Sequence, residues 1–557
     1  MLIMLAGAAL LRAQEIPGNP TVHGNFQVDA QTYYPDETLG ITDSVLQGKT
    51  LRLNGYGDVR FSIWRFNAGL RYEAYLPPLA GYDPQYQGQG IPYWFVEYGD
   101  EKLQVTAGHF YEQFGNGMIL RSYQQWDLGY DNSINGIRVK YSPVNGLTFK
   151  ALIGTQRYYW QKFEDDNRGI VRGFDGELTL NDVFNALQEK KTRVILGGSF
   201  VSKYEKMRTK TLVADTTRYE YQLPENVAST AGRIRISHGG FNFLTEYVHK
   251  FNNPSAFNNY IYKDGQALLS SLSYSQKGFG IYVAAKRIDN MSYKSKMTEL
   301  NNVLDINYIP PLTKQFVYSL ENIYPYATQL NGEAAIQGQV IYTIPKKSAL
   351  GGKYGTKLEV NYSRTHGLDK QQIADTIPLD STGTLGYKAP WFKFGDLYYQ
   401  SIAVTLEKKL SKKFKLNLEY VYIDYNIAVV EGHPNAPMVH AHEYNIDITY
   451  KVTSTKSLRL EFEQLLTKQD RGDWVMLLLE FNVAPKWFFS IMDQYNYGNP
   501  EENMQLHYYT ASVAFVQGPH RISLAYGRQR EGLLCVGGVC RQVPASNGFT
   551  FNLSTSF

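Results

Sequence analysis

The sequence predicts an all-β chain closed into a single large antiparallel transmembrane barrel of about 24 strands, within a range of roughly 20 to 26. Three observations predict it. Apolar and polar residues alternate with period two from near residue 21 to residue 557, the connections alternate between tight and long, and no stretch beyond the N-terminus is apolar enough for a spanning helix. Aromatic residues make up 14% of the chain and charged residues 19%. That balance suits a wall that must be apolar only on every second residue.

The alternation is plainest toward the C-terminus. Phe549, Phe551, Leu553 and Phe557 alternate with Thr550, Asn552, Ser554 and Ser556. Tyr444, Ile446 and Ile448 alternate with Glu443, Asn445 and Asp447, and Leu458, Leu460 and Phe462 with Arg459, Glu461 and Glu463. Read along the whole chain, the pattern gives strands near 21–33, 50–62, 66–77, 92–99, 102–111, 134–142, 147–160, 171–181, 193–204, 227–238, 240–251, 266–276 and 278–289. Further strands follow near 316–325, 333–345, 355–365, 398–409, 413–425, 441–451, 456–467, 473–484, 486–497, 504–516, 519–530 and 547–557. That makes twenty-five segments, and an even-numbered barrel requires one to be wrong, 316–325 being the weakest.

Tight connections such as 143–146, 238–240, 411–413 and 517–519 alternate with long ones at 78–91, 112–132, 206–226, 291–315, 366–396 and 426–440. Short periplasmic turns and long extracellular loops are the layout of an outer-membrane barrel. A lumen this wide is open unless loops fill it, and 291–315 and 366–396 are the candidates to fold inward. Aromatic clusters at 93–95, 158–160, 391–392 and 487–489 suit interfacial girdles, with core aromatics as the alternative.

The apolar run from Met1 to Leu11, with small residues and a polar exit near Ala13, predicts a cleaved signal peptide over 1–13 and export. The barrel then occupies 21–557, with no room for an N-terminal plug domain, and 181–191 is the one helical candidate. The last ten residues, GFTFNLSTSF, look like the C-terminal signal that the barrel-assembly machinery recognises, carried by Phe549, Phe551, Leu553 and Phe557. Expected partners are outer-membrane lipid and lipopolysaccharide, that machinery during biogenesis, and other outer-membrane subunits. AGHFYEQFGNGMILRSY at 107–123 and YGRQREGLLCVGGVCRQVP at 526–544 resemble segments of an uncharacterised family of outer-membrane barrels from Bacteroidota. The resemblance implies location and fold and brings no activity.

No hydrolase, zincin or phosphate-loop signature is present, and neither an enzyme nor a cofactor is expected. A net charge of +4 without a dense basic block argues against nucleic acid. His433, His440 and His442 are the best metal candidates and read more simply as loop histidines. The charges expected on the inner face are Arg138, Lys140, Arg233 and Arg235 in the first half and Glu443, Asp447, Arg459, Glu461 and Glu463 in the second. A basic wall facing an acidic one would set a transverse field across a water-filled lumen, whereas cross-strand ladders would simply pair these charges. Cys535 and Cys540 flank Gly537-Gly538, so a two-residue hairpin turn would set them opposite each other, and an extracellular location favours a disulfide. The expected function is a porin-like channel for small polar solutes, with a non-transporting scaffold, receptor or complex subunit as the alternative.

Overall fold

The structure is a computed structural model that describes residues 18–46, 48–161, 168–206, 210–214, 217–536 and 539–557. The expected signal peptide, 1–13, lies outside the described residues. Twenty-four strands pair in chain order as one antiparallel sheet that closes on itself. They are β1 (Thr21–Thr32), β2 (Leu51–Ile63), β3 (Phe66–Tyr75), β4 (Gly88–Gly99), β5 (Leu103–Phe110), β6 (Ile134–Val144), β7 (Leu147–Gln156) and β8 (Ile170–Thr179). Next come β9 (Thr192–Tyr204), β10 (Asn226–His238), β11 (Phe241–Lys250), β12 (Gly265–Gln276), β13 (Phe279–Asp289), β14 (Glu333–Ile344), β15 (Thr356–Leu368) and β16 (Phe394–Lys409). The ring is completed by β17 (Phe414–Asn426), β18 (Met438–Lys451), β19 (Lys456–Leu466), β20 (Trp474–Val483), β21 (Trp487–Tyr495), β22 (His507–Gln517), β23 (His520–Gln529) and β24 (Ser546–Ser556).

Closure is made by β24 pairing with β1, Leu553 opposite Val28 and Phe551 opposite Ala30. The ladder runs to the last residue, where Phe557 and Gly24 exchange backbone hydrogen bonds of 3.0 and 3.1 Å. A closed ring leaves no edge strand, so every strand finds backbone partners on both sides without water. Phe549, Phe551 and Phe557 stand exposed on the outer face, and Leu553 shares that face by alternation.

The two faces of the wall are inverted relative to a soluble sandwich. On β18, Glu443, Asn445 and Asp447 are buried while Tyr444 and Ile446 are 44% and 39% exposed. The same holds on β20 and β21, where Leu477, Leu479 and Ile491 face outward. An apolar exterior around a polar interior is what a barrel in lipid requires.

Strands are joined tightly at one end, as at 64–65, 239–240 and 518–519, and by long segments at the other, including 33–50, 111–133, 290–332 and 530–545. The expected strand at 316–325 is absent. β13 pairs directly with β14, Ile288 opposite Glu333, so the ladder has no vacancy for it. Its alternating apolar residues instead pack inside the barrel around a single 3-10 turn, Leu320–Ile323. The helix expected over 181–191 is reduced to one turn, Leu180–Val183, followed by a 3-10 turn at Asn185–Leu187.

Candidate functional site

The lumen is filled by two long segments. In 111–133, Phe114, Met118, Ile119 and Leu120 are at most 1% exposed. They pack on Val171, Val201, Val227 and Val248, which point inward from β8, β9, β10 and β11. The bend that brings this segment in is made at Gly115, where φ is +52° and a Cβ would lie 2.7 Å from the Glu246 carboxylate. Beside it, the backbone N–H and side-chain amide of Asn116 donate to Glu246 Oε2 at 2.9 and 2.6 Å.

The second segment, 290–332, crosses from one wall to the other. At its start, Lys250 Nζ donates to Ser292 O at 2.6 Å, Lys203 Nζ to Lys294 O at 2.8 Å and Lys286 Nζ to Pro310 O at 2.6 Å. At the far wall, Glu463 accepts from the backbone N–H groups of Ser319 and Leu320 at 3.0 and 2.6 Å, and Asn445 donates to Glu321 at 2.8 Å. Lys314 pairs with Glu419. Of the two segments expected to fold inward, 291–315 does. By contrast, 369–393 lies over the 251–264 loop, with Tyr262 N donating to Thr384 O at 2.7 Å, and the second inward segment is 111–133.

A buried ion network ties the first segment to the wall. Arg71 reaches Asp58, Glu73 and Asp131 at 3.1, 3.3 and 3.2 Å, and Arg157 reaches Glu73 and Asp131 at 2.7 and 2.8 Å. Around it pack Tyr56, Tyr75, Tyr86, Tyr158 and Tyr159, with Trp160 against them and Arg71 4.4 Å over the buried Tyr93 ring, so four residues read as girdle aromatics are interior ones. Trp94 and Trp487, at 46% and 43% exposure, do face outward.

The nine inner-face charges fall into two sectors. Lys140, Arg233 and Arg235 line one cavity of 280 Å³ with Lys150, Asp175 and Glu177. Arg233 is held by Asp175 at 2.8 Å and Glu177 at 3.3 Å, and Arg138 by Glu97 at 2.9 Å. Opposite, twelve places round the ring from β6 to β18, Arg459 reaches Asp447 and Glu480 at 3.1 Å each and also pairs with Glu461. Glu443 and Glu463 face the second segment, with no donor on either Glu443 oxygen among the described residues. Sequence reasoning found both sectors but not what lies between them. Arg138, Arg233, Asp447, Arg459, Glu461 and Glu463 are compensated locally or by the plug, which lies between the two sectors, so open water does not separate a basic wall from an acidic one.

His440 bonds to Asp424 at 2.6 Å and His442 to Tyr420 at 2.9 Å. Among the described residues no group of three metal-ligating side chains converges. In the 530–545 connection the backbone pairs Val536 with Val539 and Cys535 with Cys540. The cysteine side chains, and with them the expected disulfide, lie outside the described residues.

Two adjoining cavities run along the wall formed by β21–β24 and β1. A cavity of 700 Å³ sits at the long-loop end, lined by Gln31, Gln494, Thr510, Arg528, Arg530, Arg541 and Ser546, with Phe316 and Ser319 of the plug on its inner side. A second, of 520 Å³, continues toward the tight-turn end past Gln27, Asp29, Arg521, Ser523, Asn552 and Ser554. Leu79 and Arg541 line both cavities, which marks where they meet. Arg541 is positioned there by a 3.1 Å bond to Ala80 O and by stacking 4.3 Å over the Tyr82 ring. None of these arginines was singled out by the sequence, because Leu79 and Arg541 meet only through the fold.

A family model described as "Family of unknown function (DUF6029)" matches residues 1–557. The chain belongs to the DUF6029 family. No curated protein matches this DUF6029 chain. Among solved structures it is similar to the translocation pore of the P pilus usher PapC, at 8% identity and a TM-score of 0.43, covering 96% of this chain and 99% of that one. It is also similar to the siderophore receptor PirA from Pseudomonas aeruginosa, at 8% identity and 0.40, covering 97% and 81%. The outer membrane protein opdK from the same organism gives 9% identity and 0.34, covering 86% and 98%.

Proposed function

We propose that the protein is an outer-membrane barrel whose lumen is plugged by its own segments 111–133 and 290–332, and that it passes small polar solutes along the β21–β1 wall. The observation that carries this reading is the pair of adjoining cavities, which together reach from the long-loop ends of β1 and β21–β24 to the tight-turn ends of β23 and β24. Their lining sets amide, hydroxyl and guanidinium groups, which replace water around a polar solute, among apolar side chains such as Phe316, Met492 and Leu533. An unplugged barrel of this strand number would be a wide, unselective pore. The plug narrows it to the β21–β1 wall, where Gln494 Nε2 donates to Ser319 Oγ of the plug at 2.6 Å.

Liposome swelling with the purified protein tests the proposal. Entry of small sugars that falls off steeply with size is expected, and a sealed barrel at normal insertion contradicts it. The second reading, a non-transporting scaffold, receptor or complex subunit, is favoured by how completely the plug is seated, Leu320, Glu321 and Ile119 having no exposure. It predicts the sealed result.

A further inference from the structure

We infer that the 700 Å³ cavity is a binding site for a small organic carboxylate, its charge held by Arg530 and Arg541 and its apolar body by the rings and aliphatic side chains beside them. The inference names a substrate class for the passage proposed above and rests on that reading for its physiological meaning, though not for its chemistry.

Charge is the first observation. Three arginines line the cavity, and no Asp or Glu is among its described lining residues. Arg528 is already neutralised: its Nε and Nη2 donate to the two oxygens of Asp36 at 2.8 and 3.0 Å. Among the described residues, Arg530 and Arg541 have no such partner. Arg530 Nη1 reaches only the Glu531 carbonyl, at 3.4 Å, and Arg541 Nη1 only the Ala80 carbonyl, while the buried Arg541 Nε has no acceptor among the described residues. Asp127 acts on Arg541 and Glu463 on Arg530 only from a distance, with no bond to either among the described residues, and a buried guanidinium without a bonded anion is costly unless a charge meets it. Consistently, burial holds both side chains below the usual arginine range, Arg471 adding to the effect at Arg530.

Shape and polarity narrow the ligand. A guanidinium presents a planar fork of donors that matches a carboxylate in two parallel bonds. The volume lies within the roughly 300–1,000 Å³ of small-molecule sites. The remaining lining includes Phe316, Met492, Leu533, Val543 and the rings of Tyr33 and Tyr508, which have nothing to offer a fully hydrated inorganic anion. A carboxylate carrying a ring or short chain uses both halves of the site.

The test is titration calorimetry on the full-length protein in detergent, with benzoate, its uncharged isostere benzamide, and inorganic phosphate as probes. Benzoate is expected to bind at least about tenfold more tightly than either of the others, and R530Q and R541Q are each expected to weaken it by about tenfold. Equal binding of benzoate and benzamide, an unchanged benzoate affinity in the R530Q/R541Q double variant, or no binding at all would overturn the site. Tighter binding of phosphate would overturn the carboxylate assignment. Binding in micelles does not require conduction, so benzoate binding with sealed liposomes would reject the channel and keep the site, while sugar entry without benzoate binding would do the reverse.

Discussion

The network around Arg71 and Arg157 and the cavity around Arg530 and Arg541 place the same side chain in the same barrel and treat it in opposite ways. In the first, two guanidiniums share Asp58, Glu73 and Asp131, every carboxylate is within 3.3 Å of a guanidinium, and Glu73 is wholly buried. In the second, the guanidiniums border open space and their only described acceptors are backbone carbonyls. A compensated buried charge fixes structure, whereas an uncompensated one beside a cavity is available to a ligand.

The largest expected effect breaks the first region. Glu73→Ala leaves Arg71 and Arg157 buried against too few carboxylates and is expected to cost about 3–5 kcal/mol in urea unfolding from liposomes. R530Q/R541Q, which removes two uncompensated charges from the second region, is expected to leave the protein at least as stable as the parent in the same assay. Comparable losses in both would erase the distinction.

A smaller effect is expected at the plug's far anchor. Glu463→Ala strands the buried N–H groups of Ser319 and Leu320, which costs about 1–3 kcal/mol locally. Hydrogen exchange over 314–326 should accelerate while the strands keep their protection. An unchanged rate would mean that this carboxylate does not seat the segment.

The same anchor should respond to pH. Burial, and after it the neighbouring Glu419 carboxylate, push Glu321 up to about 9, against an ordinary value of 4.5. The folded state therefore holds a proton that the released segment gives up, so seating is strongest below about pH 4.5 and is lost as pH rises through about 9. After correction for intrinsic rates, exchange over 314–326 should quicken between pH 7 and 9.5, and Glu321→Gln should flatten that dependence. The smallest effect concerns Arg233, which Asp175 and Glu177 already hold. Arg233→Gln is expected to leave ion selectivity in planar bilayers unchanged, and a clear shift would restore the transverse-field reading.

Much of the wall was legible in the sequence, because a two-faced strand writes its orientation residue by residue. Twenty-four of the twenty-five expected segments are strands, and the exception, 316–325, alternates for another reason: Tyr318 and Leu320 pack inside the barrel while Val317 is 79% exposed. The plug at 111–133 was harder to see, since Met118-Ile119-Leu120 is a short apolar run with no period. Its signature lies on the strands it touches. Val171, Val201, Val227 and Val248 are inward-facing positions that a water-filled barrel would make polar, and their apolar character reports a solid interior. The arginine cavity left no comparable mark, because Gln31, Phe316, Gln494 and Arg541 come together only when β24 closes on β1.

The claim that solutes pass along one wall is tested most directly by placing a bulky side chain in that passage and in a separate cavity of the same lumen. Ser523→Trp lies at the tight-turn end of the passage, and Thr148→Trp lies at the basic cavity beside the plug. In single-channel recordings the account predicts that Ser523→Trp sharply reduces the conductance and that Thr148→Trp leaves it near the parent value. Equal block by both, or no current from the inserted parent protein, would contradict it.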